Sequence, residues 1–431
     1  MRKHFILKSR RIFIIATILF CIISVYLMIR IGVFKTLYPM NSFLNDDVRY
    51  LSSAKTLIET GKLTYFSPAN STIFIMPGIV LALVPFVKLF GEIGAVFAFK
   101  IFQIILQIFG LYLVGLIAQK CFNDKISKIS MIVISVYFTW NVAVNYIYTE
   151  VIFTTLFLLL IYLILIAFEE NKLKNYIWTG IFWALATLVR PTIAIFPIVV
   201  LIMFLIKKFS IKQILKISLV VALTFVVIMS PWWIRNYLDF NRFIPLTLSS
   251  GNPMLAGSII GGGLVTRTEQ DLADVRVLMV NNGEIAEDKR EFLQAEENIK
   301  LSFQENFWGT LKWHTMDKMA YQWLFPWISG SDSNMSFNTN IQNIINVVPA
   351  PEQVIIIFFG IVGVLFALFT KANKKNRLFL FLTILYFNFI QLPFVPSPRY
   401  MFPVMPLVII FACYGGIRTY NWIQLKKESD I

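Results

Sequence analysis

Cysteine, histidine and charge are all scarce in this chain, and each shortage excludes a class of function. Cys21, Cys121 and Cys413 lie far apart, in or beside apolar segments, which leaves neither a disulfide framework nor a Cys-rich metal site. His4 and His314 are the only histidines, too few to build a zinc site from imidazoles. Charged residues make up 15% of the chain against 57% hydrophobic, the mean hydropathy is +0.70, and no repeat or low-complexity tract interrupts the pattern. With 41 Phe and several apolar runs long enough to cross about 30 Å of hydrocarbon, the composition is that of a polytopic helical membrane protein.

A basic stretch ending at Arg11 leads into the first apolar run, 12–29. The run is too long for a signal-peptide core and no small-residue cleavage site follows, so it reads as an uncleaved helix with its N-terminus in the cytoplasm. Ten more apolar segments follow between 73 and 417. If every one crossed the bilayer, the cytoplasmic linkers would hold only Lys88, Lys100, Arg190 and Arg399. If 73–90 instead returns to the side it came from, or lies along the surface, those linkers and the tail hold sixteen basic residues, among them Lys120, Lys125, Lys207, Lys374, Arg377 and Arg418. The positive-inside rule selects the second arrangement. Pro77-Gly78 and Pro85 also suit a broken or juxtamembrane helix over 73–90.

That topology gathers five polar clusters on the outer side: the Asp46-Asp47 loop, Tyr148-Thr149-Glu150, Arg190-Pro191-Thr192, Trp232 to Tyr237 with Arg235, and Pro398-Arg399-Tyr400. Ionisable groups beside a bilayer are costly and tend to be functional, which singles out Asn45-Asp46-Asp47-Val48-Arg49-Tyr50 as a candidate reaction centre. Simple solvation in a wet loop is the plainer reading of the same carboxylates.

Three regions result: an N-terminal transmembrane module, 1–234, an extracytoplasmic loop region, 235–350, and C-terminal helices with a short cytoplasmic tail, 351–431. The loop region carries 9 Lys/Arg against 13 Asp/Glu, so the net +15 of the chain resides elsewhere, in cytoplasmic anchoring and lipid contact rather than in nucleic-acid binding. Residues 264–300 read as charged and helical. The stretch 303–327 is dense in aromatics and is expected to lie on or dip into the interface, either as an anchor or as a docking surface for a lipid-linked ligand.

At these residues the chain resembles the polyprenyl-phosphate-sugar-dependent glycosyltransferases of the GT-C superfamily, in particular glycosyltransferase family 39, which includes protein O-mannosyltransferases and the lipid A aminoarabinose transferase. The resemblance rests on an ordered set: Asp46-Asp47-x-Arg49-Tyr50, Pro77-Gly78, Lys88-Leu89-Phe90-Gly91, Glu150, Leu188 to Thr192, Pro231-Trp232-x-x-Arg235-Asn236-Tyr237, and Pro398-Arg399-Tyr400-x-x-Pro403. Each motif is weak alone. The resemblance implies an all-α, GT-C-like transmembrane bundle with an outer juxtamembrane segment and one long extracytoplasmic loop.

It also implies an inverting transfer of a hexosyl or pentosyl group from a polyprenyl phosphate to an extracytoplasmic acceptor, which could be a cell-wall polymer, a glycolipid or a protein. Asp46 looks like the base, with Asp47 and Glu150 as further catalytic carboxylates that orient neighbours or hold a divalent cation. Arg49, Tyr50, Arg190, Arg235, Lys318, Arg399 and Tyr400 are the candidates for substrate contact, the cations meeting the lipid phosphate by charge-assisted hydrogen bonds. For Arg190, Arg235 and Arg399, snorkelling to phospholipid headgroups is the alternative. The chain departs from the aminoarabinose transferases at Ile75-Met76-Pro77-Gly78, where they carry a lysine before a Pro-Pro pair, so lipid A modification does not follow. A polysaccharide ligase or polymerase and a transporter are the competing classes; carriers, however, place ionisable groups near the midplane of repeated halves.

Overall fold

The computed structural model describes residues 8–36, 45–259, 284–327 and 347–429. Among them there is no β-strand. The elements are α1 (Arg10–Ile31), α2 (Asp46–Thr60), α3 (Gly78–Cys121), α4 (Asp124–Val136), α5 (Thr149–Glu170), α6 (Leu173–Val189), α7 (Pro197–Ile206), α8 (Ile211–Phe240) and α9 (Gly251–Ser258). They continue with α10 (Glu284–Glu305), α11 (Phe307–Lys312), a π-helical turn Trp313–Asp317, α12 (Lys318–Leu324), α13 (Pro349–Phe369), α14 (Lys374–Gln391), a 3-10 turn Pro398–Val404 and α15 (Met405–Ser429). Among the described residues six helices are long and apolar enough to cross a membrane, or seven if α4 and Phe138–Asn145, a pair bent by 57°, form one span. The chain is a multi-pass membrane protein.

Hydrogen bonds between helix ends fix which ends lie together. At the start of α1 the Lys8 backbone N–H donates to Gln119 Oε1 at 3.0 Å, and Ser9 donates to Asp124. Just beyond the end of α1, the carbonyls of Gly32 and Lys35 accept from Lys100 Nζ at 2.9 and 2.8 Å. Residues 100–119 therefore run antiparallel to α1 over one bilayer thickness. The 44 residues of α3 would reach about 66 Å at about 1.5 Å per residue, twice what one crossing needs.

The surplus is the segment foreseen as non-crossing. α3 starts beside the end of α6, where a Cβ on Gly78 would lie 2.6 Å from the Leu188 carbonyl oxygen, so this approach requires glycine. The helix then breaks at Gly91, whose φ of 67° and ψ of 176° no side-chain-bearing residue adopts without strain. Glu92, just past the break, pairs with Lys55 of α2 at 3.1 Å. Residues 78–91 and α2 thus form a shelf at the α1 C-terminal end of the bundle. The break itself differs from the sequence expectation: it falls at Gly91, and Pro77 and Pro85 are accommodated as a cap and within the helix.

The opposite end holds Lys120 ion-paired with Glu169, Lys128 with Asp124, and Arg377 and Arg418 around Tyr414. These are residues assigned to the basic, cytoplasmic side by charge. In a variant lacking the native cysteines, single cysteines at the exposed positions Asn70 and Arg242 should react with an impermeant thiol reagent from outside, and cysteines at Lys125 and Lys374 should not. Labelling at Lys125 from outside would mean that 73–90 crosses.

Of the aromatic stretch, Phe307, Trp308, Tyr321 and Phe325 are exposed as an interfacial surface would require, whereas Trp313 and Trp327 are buried. The charged helix expected over 264–300 is present from Glu284; positions 264–283 lie outside the described residues.

Candidate active site

Two helix N-termini supply the carboxylates. Asn45 caps α2 in an extended conformation, its side chain accepting the Asp46 N–H, and places Asp46 and Asp47 in the first turn. Glu150 occupies the first turn of α5. Unsatisfied N–H groups and the helix dipole favour anions at both positions.

Two other turns supply guanidinium groups. Arg190 is the C-cap of α6, held extended at φ −141° by the following Pro191, and lies where a helix C-terminus favours a cation. Arg399 is on the 3-10 turn bracketed by Pro398 and Pro403.

These four side chains form one network. Arg399 Nη1 donates to Asp46 Oδ2 at 2.9 Å, and its Nε and Nη2 donate to the two oxygens of Glu150, the latter at 3.3 Å. Arg190 Nη1 donates to Glu150 Oε1 at 2.7 Å. Glu150 is fully buried, while Asp46 and Arg399 keep 26% and 17% of their side-chain surface exposed, so the network opens to its surroundings on the Asp46 side.

A shell of aromatics fixes the geometry. The Tyr148 ring lies 4.1 Å beneath the Arg399 guanidinium, and its hydroxyl donates to Asn45 Oδ1 at 2.8 Å. Tyr400 lies under Arg190 at 5.6 Å, and Arg49 stacks over Tyr65 and Phe66 at 5.1 and 5.0 Å. The Tyr65 hydroxyl donates to Asp46 Oδ1 at 2.5 Å, and the Tyr50 ring packs on Tyr65 at 5.7 Å.

Burial alone would push the Asp46 pKa up, but the Arg399 charge, the hydrogen bonds from Tyr65 and Arg399, and the Arg49 charge outweigh it, and the net shift is downward. Burial, reinforced by the Asp46 charge, pushes the Tyr50 and Tyr65 hydroxyls upward, so both remain proton donors at neutral pH.

Asp46, Glu150, Arg190, Arg399 and Tyr400 are therefore brought together, with Arg49 and Tyr50 beside them. The other candidates are placed elsewhere. Asp47 is fully buried, accepts the Val48 N–H at 2.8 Å, and exerts its charge on Lys100. Successive helical residues diverge by about 100°, which sends the two adjacent carboxylates to different neighbours.

Arg235 clamps the segment after α2: it donates to the carbonyls of Thr72 at 2.7 Å and Leu63 at 3.3 Å and pairs with Asp239 at 3.1 Å. Lys318 is buried against His314 Nδ1 at 3.0 Å and the Leu392 carbonyl at 2.9 Å. Desolvation lowers its pKa to about 8, and desolvation together with the Lys318 charge lowers that of His314 to about 4.

Tyr65 and Trp327 are contacts that sequence reasoning missed. Tyr65 sits in a loop with no distinguishing motif, and Trp327 was one aromatic among many in 303–327.

Among the described residues no group of three or more His, Cys, Asp or Glu side chains is placed to hold a metal ion. Asp46 and Glu150 are the oxygen donors a divalent cation would seek. The Arg399 guanidinium lies between them and pairs with both, Arg190 adds the second positive charge at Glu150, and Asp47 is turned away to the Val48 N–H, so these residues as arranged do not fit a cation.

The arrangement of crossing helices, a juxtamembrane shelf and a carboxylate–arginine centre at one end defines the class: the chain has the GT-C fold of integral-membrane glycosyltransferases. Residues 76–234 match the family model described as dolichyl-phosphate-mannose-protein mannosyltransferase, which covers well under half of the chain. The crystal structure of the Archaeoglobus fulgidus oligosaccharyltransferase in the apo form overlays with a TM-score of 0.58 at 12% identity, over 97% of this chain and 51% of that one. The A. fulgidus oligosaccharyltransferase AglB in complex with an inhibitory peptide and a dolichol-phosphate gives 0.54 at 16% identity, with the same coverage of 97% and 51%. This chain thus spans about half the length of the archaeal enzymes. ArnT from Cupriavidus metallidurans bound to undecaprenyl phosphate overlays more loosely, with a TM-score of 0.44 at 12% identity over 92% of this chain and 76% of that one. No curated protein matches the sequence.

Proposed function

We propose that this protein is a membrane glycosyltransferase that moves a sugar from a polyprenyl-phosphate donor to an acceptor hydroxyl or amine on the extracytoplasmic face of the plasma membrane, with inversion. The observation that carries this reading is the convergence of Asp46, Glu150, Arg190 and Arg399, from four separate turns, at the end of the bundle opposite its basic residues. The matched family model and the fold neighbours are of glycosyltransferases, and one neighbour is a complex with an inhibitory peptide and a dolichol-phosphate.

The bond that forms joins the acceptor heteroatom to the anomeric carbon, and the bond that breaks joins that carbon to the phosphate oxygen. The acceptor proton passes to Asp46, and the electron pair leaves with the lipid phosphate. Arg399 and Arg190 receive the charge that develops on the phosphate, a role suited to preorganised guanidinium groups in a site sheltered from water. In the resting site both Asp46 oxygens are engaged, Oδ1 by Tyr65 and Oδ2 by Arg399. A donor phosphate that draws Arg399 Nη1 toward itself frees Oδ2 for the acceptor proton, so donor binding precedes activation of the acceptor. Glu150 keeps Arg399 in place throughout through its bidentate contact.

Purified protein incubated in detergent with a radiolabelled polyprenyl-phosphate sugar and a membrane-fraction acceptor should release polyprenyl phosphate and label the acceptor. Absence of both transfer and hydrolysis would overturn the reading. The same assay in excess chelator should proceed undiminished, because Arg399 occupies the place of a cation; loss of activity restored by a divalent ion would reject that part.

Arg399→Lys should impair transfer although the charge is kept, since an ammonium cannot reproduce contacts to Asp46 and both Glu150 oxygens with one planar group. Arg399→Ala should weaken donor binding by more than the roughly 0–1 kcal/mol of an exposed ion pair. Donor affinity unchanged in the alanine variant would reduce Arg399 to a headgroup anchor.

A further inference from the structure

Arg399 does not set its own position. Its guanidinium lies on one ring, Tyr148, and the neighbours of that ring point to a control element outside the membrane-spanning helices. Trp327, at the end of the outer helical segment that includes α10 to α12, stacks on Tyr148 with ring centroids 6.1 Å apart and an interplanar angle of 29°. It also packs on Tyr146 at 5.1 Å and on Phe402 at 5.1 Å. Phe402 belongs to the same 3-10 turn as Arg399, so the Trp327 indole touches both supports of the arginine: the ring beneath its guanidinium and the turn that carries its backbone. Trp327 is 4% exposed and Tyr148 1%, which makes these packing contacts with no room for slack.

Tyr148 ties the arginine to the carboxylate side as well. Its hydroxyl donates to Asn45 Oδ1, and Asn45 Oδ1 also accepts the Asp46 N–H at 2.9 Å. One side chain therefore contacts the cap that orients the base, the guanidinium that pairs with it, and the outer segment through Trp327.

We propose that Tyr148 is a positioning residue for Arg399 and Asp46, and that Trp327 is the contact through which the outer segment sets the donor-phosphate subsite. The outer segment is anchored independently on the membrane helices: Trp323 Nε1 donates to Asn388 Oδ1 at 3.0 Å, and Gln353 Nε2 donates to the Trp323 carbonyl at 2.9 Å. That anchor holds Trp327 against Tyr148, and Tyr148 in turn holds Arg399. The ring faces carry the guanidinium contact, and the tyrosine hydroxyl carries the contact to the base helix, so the two can be separated by substitution.

This inference deepens the glycosyltransferase reading and rests on it for the identity of the phosphate ligand. The test measures affinity for undecaprenyl phosphate, rates of transfer and melting temperature in Trp327→Phe, Trp327→Leu, Tyr148→Phe and Tyr148→Leu. Phe379→Leu serves as a control, because Phe379 is a fully buried aromatic on α14 packed against Phe168 and Phe196, residues that the site does not use. Trp327→Leu and Tyr148→Leu should weaken undecaprenyl phosphate binding tenfold or more, Trp327→Phe should restore most of it, and Phe379→Leu should leave affinity unchanged at a similar loss of melting temperature. Tyr148→Phe should keep the affinity and lower the rate, since it keeps the ring under the guanidinium and removes the link to Asn45.

A Trp327→Leu variant with wild-type affinity, or an equal loss in Phe379→Leu, would overturn the proposal. A ligand-independent arm separates it from the function itself: the melting-temperature losses of Trp327→Leu and Arg399→Gln should be markedly non-additive in the double variant. Additivity would sink the coupling even in an active enzyme. Non-additivity in a wild-type protein that binds no lipid phosphate would leave the coupling standing and the glycosyltransferase reading refuted.

Discussion

Asp46→Asn should lower the transfer rate by roughly 10²–10⁴-fold, the contribution of a positioned general base, while expression and donor affinity stay close to wild type. The amide keeps the shape and can still accept from Tyr65 or Arg399, and Arg399 retains both of its contacts to Glu150. What is lost is the capacity to take a proton. Near-wild-type turnover would remove Asp46 from that role.

The pH dependence has a definite sign. The Asp46 pKa is held below its ordinary value, so the base is ionised, and its pairing contributes stability, above the usual carboxylate range of about 4. That stability is lost only as pH falls through the depressed value. Arg399→Gln removes the largest lowering influence and leaves burial in place, so the acid limb of its residual activity should move to higher pH. An unmoved limb would mean that another group governs it.

Glu150→Gln should be the most damaging single change to folding, costing about 3–5 kcal/mol. Glu150 is fully buried and is the common partner of Arg190 and Arg399. Without its charge two guanidinium groups lose their common partner in a largely buried site, with only Asp46 left to compensate. The loss should be visible as a lowered melting temperature in detergent before any assay of transfer. Asp47→Asn tests the contrast between the adjacent carboxylates: it should leave the chemistry intact and reduce stability, because Asp47 is buried and its charge acts on Lys100. A protein of normal stability with Asp46-like loss of transfer would reverse the assignment within the pair.

Much of this molecule was written locally. Apolar runs marked the helices, and the polar clusters between them, from Asp46-Asp47 to Pro398-Arg399-Tyr400, proved to lie at helix ends. Those signals act over a few residues, so a single sequence suffices to see them. The ordered motifs from Asp46 to Pro403 also carried the superfamily resemblance.

The partnerships were not legible, because they join residues far apart in the chain: Arg399 to Asp46 across 353 positions and to Glu150 across 249. Arg190, Arg235 and Arg399 all look alike as arginines at apolar-segment boundaries. Packing alone made two of them partners of Glu150 and the third a clamp on the Leu63 and Thr72 carbonyls. Asp46 and Asp47 are neighbours with the same side chain, and their divergence depends on which helices surround α2. The sequence by itself determined the membrane class, the ends of the helices and the set of charged groups available at one face. Only the tertiary structure decided which of those groups meet, because helix association within a bilayer rests on close packing and a few interhelical hydrogen bonds rather than on apolar burial, and the apolar pattern of a sequence records burial without naming the partner.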